Sequence, residues 1–278
     1  MKFTKMHGAG NDYVYVNCFE ETVPNPVQTA IDVSHRRFGI GSDGLILIKP
    51  TPDADAEMEM YNLDGSVSEM CGNGLRCVAK YVYDHKIAQK ENLVLKTGAG
   101  IKTAQITAGA DGKAESITLN MGAPILSGLE IPTTWNQDKV VLEKITALDM
   151  TFEATCVSMG NPHCVIYVDD VKNFEVEKYG PVLENHPNFP RRVNVEFIQI
   201  LSRGEVIQRT WERGSGETWA CGTGASAVCV AGVLTGKTAP ELLIHLTGGD
   251  LNLKWQGVGE PVYLTGPATE VFSGEIAI

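Results

Sequence analysis

The sequence predicts an α+β fold of two pseudo-symmetric domains, each a mostly antiparallel curved sheet wrapped around a central helix. The main observation is an internal repeat with a constant spacing of 150 residues. The matching pairs are residues 70–74 and 220–224, Asn62 and Glu212, and Gly10-Asn11 and Gly160-Asn161. Because three separate segments recur at the same spacing, the chain is expected to contain two copies of one unit.

Short runs of β-branched and aromatic residues, bounded by turn residues, predict strands in both copies. They are residues 13–16, 45–48, 93–95, 165–168, 197–200 and 206–207. Many of them lie too close together in sequence for helical crossovers, so mostly antiparallel pairing is expected. Asp111-Gly112 predicts a hairpin turn between residues 103–107 and 116–120.

Four helices are expected, two in each copy. Residues 26–36 begin with a proline in the first turn, and a shorter helix near residues 179–185 is the expected counterpart. The other two helices follow the repeated cysteine phrases and cover residues 72–85 and 222–234. The last helix is apolar on every side, which is typical of a helix buried at the centre of a domain.

These elements divide the chain into a first domain of residues 1–118 and a second domain of residues 119–264. A final strand within residues 265–278 is expected to return to the first domain. No low-complexity linker separates the two copies.

The composition is that of an acidic globular protein. Of 278 residues, 43% are hydrophobic and 21% are charged, and the formal net charge is −11. This charge argues against nucleic acid or an anionic membrane as the partner. The N-terminus has no apolar signal segment, and seven cysteines are too sparse for a disulfide framework. A cytoplasmic protein that binds a small molecule, with no nucleic acid or membrane partner, is therefore expected.

Cys71 and Cys221 are the cysteines with a setting suited to chemistry, because each stands where a glycine-rich turn enters a predicted helix. A thiol there lies at the positive end of the helix dipole, which favours the thiolate. The neighbouring glycines let backbone N–H groups approach and hold a carboxylate. If the two copies face each other, the two thiols can move a proton from one face of a carbon to the other. An isolated cysteine is more often a small buried apolar residue, and the other five cysteines fit that description.

Two nucleotide-like motifs lack the structural context that they need. Residues 39–44 match G-x-G-x-x-G but precede a predicted strand instead of following one. Gly236-Lys237-Thr238 resembles the end of a P-loop, but Ala231 stands where the first glycine is required. No C-x-x-C or H-E-x-x-H motif suggests a metal, and no lysine is marked as a pyridoxal phosphate site. Proton transfer without a cofactor is therefore the simplest chemistry.

Six motifs together resemble those of the diaminopimelate epimerases. They are residues 5–12 (KMHGAGND), 70–77 (MCGNGLRC), 160–163 (GNPH), 192–194 (RVN), 211–218 (WERGSGET) and 220–224 (ACGTG). They span almost the whole chain in the expected order, and their combination is specific although C-G-x-G alone is not. The resemblance implies a diaminopimelate epimerase-like fold, often in a homodimer. It also implies a cofactor-independent isomerase that interconverts LL- and meso-2,6-diaminopimelate in lysine biosynthesis.

The resemblance also implies roles for individual residues. The two catalytic cysteines of the family match Cys71 and Cys221, one a thiolate base and the other a thiol acid. The groups that tune their pKa match His163 and Glu212, and no metal is implied. The substrate-binding residues match Asn11, Asn62, Gly72, Asn73, Asn161, Asn194, Glu212, Arg213, Gly222 and Thr223.

Physical chemistry agrees with these binding roles. Arg213 can hold the distal carboxylate of the substrate through two hydrogen bonds, and Glu212 can attract an ammonium group. Each asparagine taken singly could equally be a turn residue. The sequence departs from many relatives at Gly44, where they carry glutamine, so that side-chain contact to substrate is missing here.

Other functions are weighed against this one. Proline racemases and hydroxyproline epimerases share the two-cysteine plan, but they usually carry His where Asn73 stands. A dehydratase relative would replace one cysteine, typically with Thr, and a phenazine-type isomerase would use Glu at the first site. From a different class, the two thiols could form a redox switch, or the protein could bind amino acids as a sensor. A sensor would bind its ligand tightly without exchange of the α-proton.

Overall fold

The chain folds into two units that repeat one order of strands and helices. The computed structural model describes residues 1–277, so Ile278 of the expected final strand lies outside the described residues. One unit comprises Met1–Leu119 and the chain from Thr265 onward, and the other comprises Asn120–Leu264.

The elements follow one another along the chain with short connections. The first stretch contains β1 (Lys2–Gly8), β2 (Asn11–Asn17), α1 (Pro26–Ser34), β3 (Gly44–Lys49), β4 (Ala56–Asn62), β5 (Val67–Ser68), α2 (Gly72–Asp84), β6 (Asn92–Thr97), β7 (Gly100–Ala108) and β8 (Ala114–Gly122). The second contains β9 (Glu143–Ala147), β10 (Met150–Ser158), β11 (Pro162–Tyr167), α3 (Val176–Glu184), β12 (Asn194–Ser202), β13 (Glu205–Glu212), β14 (Gly216–Thr218), α4 (Gly222–Leu234), β15 (Glu241–Leu246), β16 (Gly249–Lys254) and β17 (Val262–Gly266). The last strand is β18 (Thr269–Glu275), which pairs with β1.

The sequence repeat occupies matching structural positions. Asn62 ends β4 and Glu212 ends β13, while Cys71 and Cys221 stand directly before α2 and α4. The predicted α+β class is therefore confirmed, with four helices among residues 1–277 and a largely antiparallel arrangement of strands.

The parallel strand pairs are those that a helix connects. They are β2–β3 across α1, β4–β6 across α2, β11–β12 across α3 and β13–β15 across α4. Parallel neighbours need a crossover connection, whereas antiparallel neighbours need only a turn. The expectation of mostly antiparallel pairing is confirmed, and the four helices explain the exceptions.

Each unit buries one helix against one face of its sheet and a second helix against the other face. In the first unit, α2 packs on β1, β2, β4 and β7, and in the second, α4 packs on β10, β11, β12, β15 and β16. Residues alternate between the faces: Leu45 and Leu47 of β3 join the cluster on α1, whereas the space beside Gly74 of α2 is filled by Ile46. Nearly every residue of α4 from Gly222 to Gly232 is buried, as its apolar sequence predicts.

Helix ends follow local signals. Pro26 begins α1, and the side chain of Asn25 accepts a hydrogen bond from the N–H of Gln28. The helix α3 begins at Val176, three residues before the predicted start. None of the helices in the described part of the chain has the length and apolar character that crossing a membrane requires.

Candidate active site

Cys71 is the N-cap residue of α2, where an extended conformation (φ −135°, ψ 119°) turns its side chain toward the first helical turn. Cys71 Sγ accepts a 3.5 Å hydrogen bond from the N–H of Gly74, and the thiol donates a 3.3 Å hydrogen bond to Asn11 Oδ1. Asn73 Nδ2 lies 3.5 Å from that amide oxygen. The first unit thus brings two predicted site residues, Asn11 and Asn73, to the thiol of a third, Cys71.

The orientation of the Asn11 amide is set by Asp43. Asn11 Nδ2 donates a hydrogen bond of 2.7 Å to Asp43 Oδ2, which also accepts one from the N–H of Asp12. Because the amide nitrogen is bound by a carboxylate, the amide oxygen faces Cys71. Asp43 is held in turn by Arg36 at 2.8 Å. Sequence analysis missed Asp43, although it lies in the glycine-rich segment 39–44 that was considered for nucleotide binding.

The side chain of Asn73 is buried and turned toward the protein interior. Its Oδ1 accepts a 2.9 Å hydrogen bond from Nη2 of Arg76, a fully buried residue whose Nε donates to the carbonyl of Pro267. The first N–H groups of a helix have no carbonyl partner within it. The backbone of Gly72-Asn73, more than the Asn73 side chain, is therefore suited to hold a carboxylate.

Gly44 lies directly opposite Asn62 in the β3–β4 pair. A Cβ atom at position 44 would lie 2.1 Å from the carbonyl oxygen of Tyr61 and 2.9 Å from the ring of Tyr13. The structure therefore leaves no room for the glutamine of many relatives. Asn62 itself donates a 3.0 Å hydrogen bond to Ser66 Oγ.

Cys221 is the N-cap residue of α4 and is 6% exposed. Burial raises the pKa of the Cys221 thiol well above its ordinary value, and the charges of Glu212 and Glu196 raise it further. Hydrogen bonds with Thr223 and the N–H of Gly224 act in the opposite direction. The helix dipole contributes only about 0.3–1 kcal/mol, less than burial beside two carboxylates. The thiolate expected from helix position alone is therefore not favoured at Cys221 in this structure.

Of the two carboxylates whose charges act on Cys221, Glu212 and Glu196, Glu212 is the closer to it in the sequence. Its Oε1 accepts a 2.6 Å hydrogen bond from the Thr218 hydroxyl. Burial raises the pKa of Glu212 and the charge of Glu196 adds to this, while hydrogen bonds from Thr218 and Cys221 and the charge of His163 oppose it. Burial and the charge of a nearby carboxylate thus raise the pKa of both Glu212 and Cys221.

Glu212→Gln is expected to stabilise the fold at neutral pH while lowering activity. Because the folded pKa of Glu212 is raised, its contribution to stability is complete below its ordinary pKa of 4.5 and is lost as pH rises through the folded pKa. The variant removes that loss, so its thermal midpoint at pH 7–8 should exceed that of the wild type. Thermal denaturation between pH 4 and 8 measures this. The exposed Glu153→Gln variant is the control, and equal midpoints for Glu212→Gln and wild type across this range would contradict the expectation.

Four of the predicted site residues form one connected set in the second unit: His163, Asn161, Asn194 and Arg213. His163 is fully buried, with Nδ1 2.8 Å from Glu196 Oε1 and Nε2 3.1 Å from Asn161 Oδ1. Asn194 Nδ2 donates to the carbonyl of Pro162, and its Oδ1 accepts from the N–H of Arg213, both at 2.9 Å. Asn194 therefore ties the strand that carries His163 to the turn that carries Arg213.

Glu196 is the main residue of this region that sequence analysis missed. It is fully buried, and its Oε2 accepts hydrogen bonds from Gln208 Nε2 at 2.9 Å and Thr210 Oγ1 at 2.5 Å. The available signal was a charged residue between the apolar Val195 and Phe197, directly before the strand predicted at residues 197–200. A buried charge must be paired or hydrogen-bonded, so such a position indicates a specific partner.

Gly224 of the repeated phrase is required by Glu196. A Cβ atom at position 224 would lie 2.5 Å from Glu196 Oε1, whereas one at the matching Gly74 would meet only the terminal carbon of Ile46, at 2.7 Å. Gly224→Ala is therefore expected to destabilise the protein by about 1–3 kcal/mol and to lower activity, with a smaller effect for Gly74→Ala. Urea denaturation and initial rates of the two variants provide the matched comparison, and equal effects would contradict this interpretation.

None of the cysteines within residues 1–277 forms a disulfide bond. Among residues 1–277, no group of three or more His, Cys, Asp and Glu side chains is arranged to hold a metal ion.

Solved structures share this fold at low sequence identity. A PhzF-family phenazine biosynthesis protein from Bacillus anthracis matches with a TM-score of 0.70 and 17% identity, covering 100% of this chain and 99% of that chain. A probable proline racemase from Agrobacterium radiobacter matches with a TM-score of 0.68 and 17% identity, over 100% and 93% of the two chains. A hydroxyproline epimerase from Agrobacterium vitis gives 0.67 and 16%, over 99% and 90%. The chain therefore has the fold of these phenazine biosynthesis, racemase and epimerase proteins.

Sequence comparison assigns the chain to one family. The diaminopimelate epimerase family model matches residues 3–127 and 155–271. A diaminopimelate epimerase from Agathobacter rectalis is 54% identical over 100% of both chains. One from Acetivibrio thermocellus is 51% identical over 99% of this chain and 98% of its own, and one from Methanococcus maripaludis is 50% identical over 100% of both. The chain belongs to the diaminopimelate epimerase family, which confirms the resemblance inferred from its motifs.

Proposed function

We propose that this chain interconverts LL- and meso-2,6-diaminopimelate without a cofactor, with Cys71 and Cys221 as an acid–base pair. The observation that carries the proposal is the placement of one cysteine in each unit as the N-cap of a central helix, before a Gly-x-Gly turn. Membership of the family supports the choice of substrate, as do the names of relatives that match over the whole chain.

The proposed reaction moves one proton off the α-carbon and another onto its opposite face. In one direction Cys71 acts as thiolate: its S–H bond forms as the C–H bond of the substrate breaks. Cys221 then gives its thiol proton to the carbon and is left as thiolate. The raised pKa of the Cys221 thiol supports its role as the acid of the resting enzyme. In the reverse direction the two residues exchange roles.

Backbone and side chains share the binding of substrate in this proposal. The N–H groups of Gly72-Asn73 and Gly222-Thr223 hold the reacting carboxylate and stabilise charge that develops as the α-proton leaves. Arg213 binds the distal carboxylate and Glu212 the distal ammonium. The remaining proposed contacts are those of Asn11, Asn62, Asn161 and Asn194. His163 and Glu212 tune the thiols.

We further propose that each unit is one epimerase domain and that the protein is a cytoplasmic homodimer in lysine biosynthesis. The small and odd number of cysteines in the sequence supports a reducing compartment. Light scattering coupled to size-exclusion chromatography measures the oligomeric state. A mass near 30 kDa, that of one chain, would contradict the homodimer.

The decisive experiment is proton NMR of LL-diaminopimelate with the reduced protein in deuterated buffer. Loss of the α-proton signal together with formation of the meso isomer is expected. Absence of exchange from a folded sample with free thiols would overturn the proposal. L-Proline and hydroxyproline serve as substrate controls, and calorimetric binding of diaminopimelate without exchange would indicate a sensor instead.

A further inference from the structure

The strongest feature that the proposed chemistry does not use is the buried carboxylate of Glu196. Three donors surround it: His163 Nδ1 at 2.8 Å, Gln208 Nε2 at 2.9 Å and Thr210 Oγ1 at 2.5 Å. They come from β11 and β13, the two strands that flank β12 and its Glu196, and Gly224 of α4 closes the remaining side. A carboxylate held from three elements has almost no freedom to move.

An ionised carboxylate only accepts hydrogen bonds, so its contact with His163 fixes where the imidazole carries hydrogen. His163 Nδ1 must be the donor in both the neutral and the protonated ring. Nε2 is then the nitrogen that can gain or lose a hydrogen. With a hydrogen it donates to Asn161 Oδ1 at 3.1 Å, and without one it accepts only if the Asn161 amide turns to present its NH2 group. Glu196 also lies close enough to Cys221 and Glu212 for its charge to act on both of them.

We propose that Glu196 is a positioning residue that fixes the tautomer and ring orientation of His163, so that Nε2 is the nitrogen presented to the active site. The proposal rests on the proposed function for its effect on the rate, but not for its statement about the tautomer. Glu196 itself touches no substrate in this scheme. It acts through His163, as the outer hydrogen-bond partner of a functional histidine does in other enzymes.

The amide of Gln208 offers a way to separate the hydrogen bond from the charge. Gln208 Oε1 is buried and has no hydrogen-bond partner within residues 1–277. In Glu196→Gln, a turned Gln208 amide can accept from the new NH2 group, while the new amide oxygen still accepts from His163 Nδ1. In Glu196→Met, a side chain of similar length, no acceptor remains. The glutamine variant is therefore the conservative rescue of the methionine variant.

The expected kinetic result is a loss of kcat on the order of 10- to 100-fold in Glu196→Met, with KM for diaminopimelate nearly unchanged. Glu196→Gln should recover most of that loss. Thr210→Val is the matched control, because it removes another donor to the same carboxylate and leaves the His163 contact in place. A purely structural role would make Glu196→Met and Thr210→Val alike in kcat, and a folded Glu196→Met with wild-type kcat would overturn the proposal.

Nitrogen-15 NMR of histidine-labelled protein tests the tautomer directly. The chain has six histidines, and the signals of His163 are those lost in a His163→Gln variant. A hydrogen on Nδ1 in the wild type, retained in Glu196→Gln, supports the proposal even if Glu196→Met does not fold. A wild-type neutral ring with its hydrogen on Nε2 alone would overturn it. Because the NMR measurement does not require turnover, it distinguishes failure of the positioning role from failure of the epimerase assignment.

Discussion

Replacement of either Cys71 or Cys221 by alanine is expected to lower the rate of epimerisation by about 10³-fold or more. Each thiol serves one face of the α-carbon in the proposed reaction, so neither can substitute for the other. The remaining cysteine still has a base function toward one epimer. We therefore expect slow exchange of the α-proton with retention in each variant, for LL-diaminopimelate in one variant and for the meso isomer in the other.

Proton NMR in deuterated buffer measures exchange and inversion in the same sample. Cys77→Ala and Cys229→Ala are matched controls, because both thiols are fully buried in the same two helices as the proposed catalytic pair. Their loss should affect stability more than rate. Epimerisation at the wild-type rate in Cys71→Ala or Cys221→Ala would refute the two-base assignment.

Arg213→Ala is expected to lower kcat/KM for diaminopimelate by about 10²-fold, because hydrogen bonds to a charged group contribute about 1.5–3 kcal/mol. Arg213→Lys keeps the charge but cannot form two parallel bonds to a carboxylate, so a smaller loss is expected. The backbone of this residue is held independently, because its N–H donates to Asn194 Oδ1. The variants should therefore change recognition more than local structure.

Comparison of diaminopimelate and lysine as substrates tests whether Arg213 acts on the distal carboxylate. Lysine carries the distal amine of diaminopimelate without the distal carboxylate, so Arg213→Ala should narrow the preference for diaminopimelate over lysine. Arg203→Ala, which removes an exposed arginine bonded to the carbonyl of Gly236, is the control in the same unit. An unchanged kcat/KM in Arg213→Ala would remove this residue from the binding site.

Much of the fold was predictable because its signals are local. A proline at the start of α1, β-branched runs in the strands and an apolar sequence throughout α4 each reflect the conformation and burial of a short segment. The constant spacing of the repeat then related the two units. Helix boundaries were less certain, as the earlier start of α3 at Val176 shows, because helix ends depend on capping contacts as well as on periodicity.

The candidate site likewise contains some residues that the sequence reveals and others whose roles only the structure reveals. Cys71, Cys221, His163 and four of the five predicted asparagines lie in the motifs that resemble the family's, so the resemblance finds them. The roles of Asp43, Arg76 and Glu196 are not evident from the sequence, even though Arg76 lies within one of the motifs, because the effect of each depends on which group it contacts. Asp43 turns the amide of Asn11, Arg76 holds the side chain of Asn73, and Glu196 binds the ring of His163.

The sequence by itself determined the family, the order of the elements and the pair of cysteines at two helix starts, because these follow from residue types and spacings along the chain. Only the tertiary structure decided the electrostatic surroundings of Cys221. The helix position predicts a lowered pKa for this thiol, yet burial beside Glu212 and Glu196 raises it. Burial and charge depend on residues brought together from β12, β13 and α4, and no local pattern specifies the distance between them.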